Sequence, residues 1–253
     1  MPITPDSTPE MVKYHKNIFF LLNTCGRMCG EFIEEVNDAM HEVIPELKKI
    51  AESYPEQSIN FCRMDYDRSA KWVCDGGIDI LDFYWCDART DWGTALGEAY
   101  YRLNSALSRR EGGFMHAFNN TIPIIILLLG ATPTDDVERG LNVLKNNKWF
   151  QISIKIAIEV EHFTPSCFHQ YLLDFTMDKD AIIHADETNL RKILKDIMTR
   201  SVMSAHEWVP PYNQEKYVLS NIIGKPQIYT DFIKHEEPNG NESTDDLWDV
   251  FDL

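Results

Sequence analysis

The feature that most constrains this chain is an unbroken apolar run, Ile124-Ile125-Ile126-Leu127-Leu128-Leu129, closed by Gly130. A half-exposed strand would alternate apolar and polar residues, and a buried helix would be longer. The run therefore predicts a strand covered on both faces, the condition of strands in a parallel sheet. It is also too short for a bilayer span, which takes about 20 apolar residues. Asn17 to Leu22 (NIFFLL) is a second run of the same kind.

Helical periodicity fills the spaces between such runs. Ile33, Val36, Met40, Val43, Leu47 and Ile50 recur at three- and four-residue spacing and predict a long amphipathic helix, which Pro45 should kink or divide. Ser58 to Tyr66 and Ala70 to Cys74 read as two strands joined by a short turn, and Ile78 to Trp85 as an extended connection. Leu96, Ala99, Leu103 and Leu107 mark a helix from about Thr94 to Arg109. After Gly130, Thr134 is the expected N-cap of a helix ending near Asn146-Asn147, with Asp135 and Asp136 in its first turn. Ile152, Ile154, Ile156 and Ile158 alternate with Ser153, Lys155 and Ala157 as in a strand. A short helix is expected over Phe168 to Phe175, a strand over Ala181 to His184, and a last helix from Thr188 to about Met203.

Strands and helices in alternation give an α/β fold. The expected form is a doubly wound, mostly parallel sheet with helices on both faces and one antiparallel edge strand. Binding sites in such sheets lie at the carboxyl ends of the strands. The informative loops are thus those after Leu22, around Asp91 and after Leu129. The expected division is a lead-in over 1–14, the α/β domain over 15–205, an extension over 206–235 that packs back, and a flexible acidic tail over 236–253.

Charge narrows the partners. A formal net charge of −16 repels phosphate backbones and anionic lipid surfaces, and no strong basic patch offsets it. Neither nucleic acid nor membrane is expected as a partner. The first residues show no charged segment followed by an apolar run, and the six cysteines form no paired zinc spacing, Cys25 and Cys29 being a lone C-x3-C. A cytoplasmic protein with reduced thiols is the expectation.

The three loops carry a resemblance. Phe19 to Gly30 (FFLLNTCGRMCG), Asp91 to Gly97 (DWGTALG) and Ile126 to Asp136 (ILLLGATPTDD) resemble, in order and spacing, the strand-end motifs of von Willebrand factor A (vWA) domains. The resemblance spans about residues 14 to 205 and is similar to the small cytosolic bacterial members associated with tellurite resistance, called TerY-like. It implies a vWA fold and protein–protein binding, in a stress or defence system beside a kinase and a phosphatase.

The family builds a site for a magnesium or manganese ion from five side chains in these loops, and the resemblance transfers those positions to Asn23, Cys25, Arg27, Thr94 and Gly130. Only Thr94 keeps the family residue type. Asn23 and Gly130 replace aspartates, and Cys25 and Arg27 replace serines. Hard divalent ions want oxygen donors, and a thiol is a poor substitute. A guanidinium about 4 Å from such an ion would cost roughly 8 kcal/mol at an effective dielectric near 20. No bound metal is expected. Either the pocket is vestigial or Arg27 supplies positive charge in the ion's place, facing Asp91, Asp135 or a partner's carboxylate.

Nothing else points to catalysis. Cys25, at a strand-to-helix turn, is the one candidate nucleophile, but no histidine is near it in sequence and the C-x5-R phosphatase pattern fails at Glu31. The eight histidines are scattered, and His162 and His169, seven apart, are the only pair with a helical relation worth noting. No cofactor motif appears. The end of the chain carries Leu247, Trp248, Val250, Phe251 and Leu253 among acidic residues, a pattern suited to docking in a partner's groove or on the chain itself. The expected function is a metal-independent protein-interaction module or adaptor. The alternatives are an enzyme using Cys25 and a structural subunit of a larger assembly.

Overall fold

The computed structural model describes residues 13–74, 76–117, 119–160 and 168–204, together with Ile222. Most of the expected extension and all of the tail, including Leu247, Trp248, Val250, Phe251 and Leu253, lie outside the described residues.

The two apolar runs form the middle of the sheet. β1 (Tyr14–Asn23) and β5 (Ile124–Leu129) pair in parallel, with Leu22 opposite Leu128. β2 (Gln57–Tyr66) lies on the other side of β1, and β6 (Ile154–Val160) and β7 (Ile182–Ala185) extend the sheet beyond β5, all parallel. β3 (Ala70–Trp72) and β4 (Ile78–Asp79) pair antiparallel with the two ends of β2. The strand order is β3-β2-β1-β5-β6-β7, with β4 beside β3 on the edge of β2. The sheet is thus mostly parallel with an antiparallel edge, as expected.

Helices cover both faces because every central strand is apolar on both. Ile18, Phe20 and Leu22 of β1, with Ile124, Ile126 and Leu128 of β5, face α1 (Glu31–Glu52) and α6 (Leu190–Met203). Phe19, Leu21, Ile125, Leu127 and Leu129 face α2 (Leu96–Ala106), α3 (Val137–Lys145), α4 (Lys148–Ile152) and α5 (His169–Thr176). Arg191 of α6 also joins Glu35, Asp38 and Glu42 of α1, tying that helix pair across its solvent side. Ile222, from the expected extension, is buried in the α1–α6 core.

Three local expectations are corrected. α1 runs through Pro45 without division. Val43, Ile44 and Leu47 on either side of the proline are buried, and that packing outweighs the roughly 3 kcal/mol of a mid-helix proline. Ile152 ends α4 rather than opening β6. Its alternate residues Ser153, Lys155 and Glu159 are buried too, with the Lys155 ammonium donating to the carbonyls of Phe150 (3.0 Å) and Ser153 (2.7 Å). The N-cap of α3 is Asp136, which accepts from the Arg139 N–H at 3.1 Å, and not Thr134.

Candidate functional site

The strand order reverses between β1 and β5, so the loops leaving these two strands open a crevice at their carboxyl ends. The loop around Asp91 closes it from the β2 side. The Asp91 N–H donates to the Thr24 carbonyl (2.9 Å), and Cys25 and Asp91 form a parallel bridge. The third loop joins through Thr94. Its N–H donates to the Thr134 hydroxyl at 3.0 Å, and its carbonyl accepts from the Thr134 N–H at 2.9 Å. The three sequence motifs therefore meet in one place.

The residues at the floor are satisfied within the protein. Asn23 is fully buried at the end of β1. Its amide donates to the Tyr66 carbonyl on β2 (3.1 Å) and accepts from the Gly130 N–H after β5 (3.2 Å). It thereby ties together three adjacent strand ends. A carboxylate could accept from Gly130 but could not donate to Tyr66. The Tyr66 hydroxyl reaches past β1 to donate to the Leu128 carbonyl at 2.6 Å, and burial pushes its ionisation well above the ordinary phenol range.

Gly130 is at the narrowest point. A Cβ there would lie 2.4 Å from the Sδ of Met28, which is fully buried under the 3-10 turn Gly26–Met28. Met28 thus fills the space that a side chain at position 130 would need. Cys25 is 3% exposed, so its thiol packs under the loop rather than facing a crevice. Thr94 is also buried.

Arg27 points the other way. It is exposed, and among the described residues it pairs with neither Asp91 nor Asp135. Asp91 accepts instead from Arg68 (3.2 Å) and from the Trp92 N–H (2.7 Å). Asp135 serves a different helix from its own, accepting from the Gly97 N–H (2.9 Å) and the Glu98 N–H (2.8 Å) at the start of α2. Gly97 and Gly140 allow this approach. A Cβ on Gly97 would meet the Asp136 carbonyl at 2.4 Å, and one on Gly140 the Gly97 carbonyl at 2.5 Å.

Above this filled floor the loops present Trp92, which is 77% exposed. Its ring lies close to Gly26, where an added Cβ would be 3.9 Å from Cε3. Arg27 follows Gly26 in the chain, and Arg68 is held beside Trp92 by its ion pair with Asp91. Trp92 and Arg68 were not singled out by sequence reasoning. The tryptophan stood inside the second motif, DWGTALG, and a large aromatic next to a glycine in a strand-end loop was the available signal.

Several solved structures share this architecture. The von Willebrand factor domain of a type V pilus tip protein from Porphyromonas gingivalis superposes with a TM-score of 0.52 at 9% identity, over 79% of this chain and 98% of that one. Proximal thread matrix protein 1 from the mussel byssus gives 0.51 at 14% identity, over 75% of this chain. A pilus adhesin from Lactobacillus rhamnosus gives 0.52 at 10% identity, over 83%. This chain spans 47% of the mussel protein and 31% of the adhesin. No protein-family profile and no curated relative matches the sequence. At these identities the likeness shows the fold, which is that of a vWA domain, an α/β sheet wound as described above.

Proposed function

We propose that this chain is a protein–protein interaction module whose strand-end loops engage a partner through side chains, without a bridging divalent ion. The observation that carries the reading is the exposed Trp92, whose ring lies close to Gly26, the residue before the exposed Arg27, and whose neighbour Asp91 pairs with Arg68, in loops whose buried positions are already filled by Asn23, Met28 and Cys25. Tryptophan and arginine are the residues on which binding energy most often concentrates. The residues at the former metal positions do not fit a magnesium or manganese ion. Asn23 has both ends of its amide engaged, Cys25 offers buried sulfur, Gly130 offers no side chain and Arg27 is a cation. The buried thiol of Cys25 likewise does not suit a nucleophile that must meet a substrate.

The solved structures of this fold come from an adhesin, a pilus tip and a thread matrix, which agrees with binding rather than catalysis. A cytoplasmic adaptor role beside a bacterial kinase and phosphatase rests on the three-loop resemblance to TerY-like proteins alone. The acidic aromatic tail at Leu247 to Leu253 is the second contact of this proposal. The test is quantitative capture of bound proteins by the wild-type chain, Trp92→Ala, Arg27→Ala and a chain lacking residues 245 to 253, each with and without chelator. Loss of the same bound species in the Trp92 and Arg27 variants, unaffected by chelator, is expected. Binding that requires magnesium, or that survives all three changes, overturns the proposal.

A further inference from the structure

A second group of donors lies further along the same carboxyl edge of the sheet, on β6 and β7, beginning at Glu159 opposite Leu129. Glu159 of β6 stands opposite His184 of β7 in the parallel register, and His169 opens α5, which covers the same face. One ligand atom from each of the three residues lies within 4.8 Å of the other two. Glu159 is 1% exposed. Its Oε2 is 2.6 Å from Nδ1 of His169 and 3.3 Å from Nδ1 of His184. The two imidazoles stack nearly parallel, with centroids 5.8 Å apart and planes at 5°.

This arrangement is costly unless something further engages it. A carboxylate buried to this degree needs its lone pairs satisfied. Here two rings converge on one oxygen, while Oε1 is buried with no hydrogen-bond partner among the described residues. Because the histidine side chains are 45% and 53% exposed, the group opens to solvent on the imidazole side and is closed on the carboxylate side.

We propose that Glu159, His169 and His184 form a binding site for a borderline divalent transition ion, zinc foremost. Two imidazole nitrogens and one carboxylate oxygen are a zinc donor set, with metal–ligand distances of about 2.0–2.2 Å and donor atoms a few ångströms apart. The nitrogen donors select against magnesium and calcium. Three protein ligands among the described residues leave a fourth position of a tetrahedral site to a further donor. With neutral imidazoles the loaded site carries a net charge of about +1, which is favoured in a chain of formal charge −16. Its three ligands are none of the residues placed in the strand-end loops.

The experiment is a Zn2+ titration of the full chain, competed with a chromophoric chelator and followed by metal analysis after gel filtration. Alongside it run His169→Ala and His184→Ala, both at part-exposed positions, with circular dichroism confirming that each variant is folded. The wild type is expected to bind one equivalent that magnesium does not displace. Each variant should weaken it by about 100-fold or more, since loss of an outer-shell partner alone costs 10- to 100-fold. Cobalt substituted into the wild type should give visible ligand-field bands without thiolate charge transfer. Absence of a tight equivalent in the wild type, unchanged affinity in either variant, or a thiolate band would each overturn the assignment.

Discussion

Met28 occupies the space of the missing side chain at Gly130: a Cβ on that glycine would fall 2.4 Å from the methionine sulfur. Filling one position and emptying the other are coupled, so the two should be non-additive on mutation. Gly130→Ala is expected to destabilise the fold by about 1–3 kcal/mol through overpacking. Met28→Ala should lower stability through a cavity, and the double variant should be less destabilised than the sum of the two. Denaturant melts of the three variants measure this, and strict additivity would refute the coupling.

Asn23→Asp restores the residue type of the family's metal site and should nonetheless be harmful. The carboxylate keeps the bond from the Gly130 N–H but faces the Tyr66 carbonyl with no proton to donate. A loss of about 2–4 kcal/mol is expected for a buried group left mismatched. Excess magnesium should not restore the lost stability. A magnesium-dependent rise in melting temperature would show that the floor can still hold the ion.

Asp135→Ala should destabilise by about 1 kcal/mol, the usual cost of removing a side chain that caps helix N–H groups. The lost bonds are those from Gly97 and Glu98, so local opening should show at the start of α2 rather than at α3. Amide hydrogen exchange distinguishes the two helices. Faster exchange confined to α3 would contradict the assignment.

Lys16 sits in β1 at 6% exposure, and burial lowers its pKa to about 8 from an ordinary value of 10.5. Between these values the unfolded chain binds the proton that the folded chain has released, so this residue makes stability rise with pH across that window. Below pH 8 the charged form is carried at a cost of roughly 3 kcal/mol, at 1.36 kcal/mol per pKa unit. Lys16→Met should therefore be more stable than wild type at pH 7, with the advantage shrinking as pH approaches 10.5. An advantage independent of pH would mean that Lys16 is not the titrating group.

Much of this fold was legible because its signals are local. The run Ile124 to Leu129 could only be a doubly covered strand, and β5 has the same limits. The helix through Ile33 to Ile50 was visible from its period, yet Pro45 misled, since a local rule about proline does not weigh the core contacts on either side. Arg63 was illegible for a related reason. It lies at 2% exposure in the middle of β2, paired with Asp65 two residues away and stacked on Trp85 at 3.8 Å, and no periodicity announces that a cation can be so housed.

The sequence by itself determined the order of elements, the parallel sheet and the convergence of three loops at its carboxyl edge, because strand and helix periods and turn residues are written along the chain. Only the tertiary structure decided what those loops do with their side chains. It turned Arg27 outward, set Asp135 on the neighbouring helix, sealed Asn23 between Tyr66 and Gly130, and put Met28 in the gap. It also brought His169 and His184, fifteen positions apart and joined by no sequence motif, onto one buried carboxylate. Contacts of this kind depend on distances between residues remote in the chain, which sheet register and helix packing fix and residue order does not.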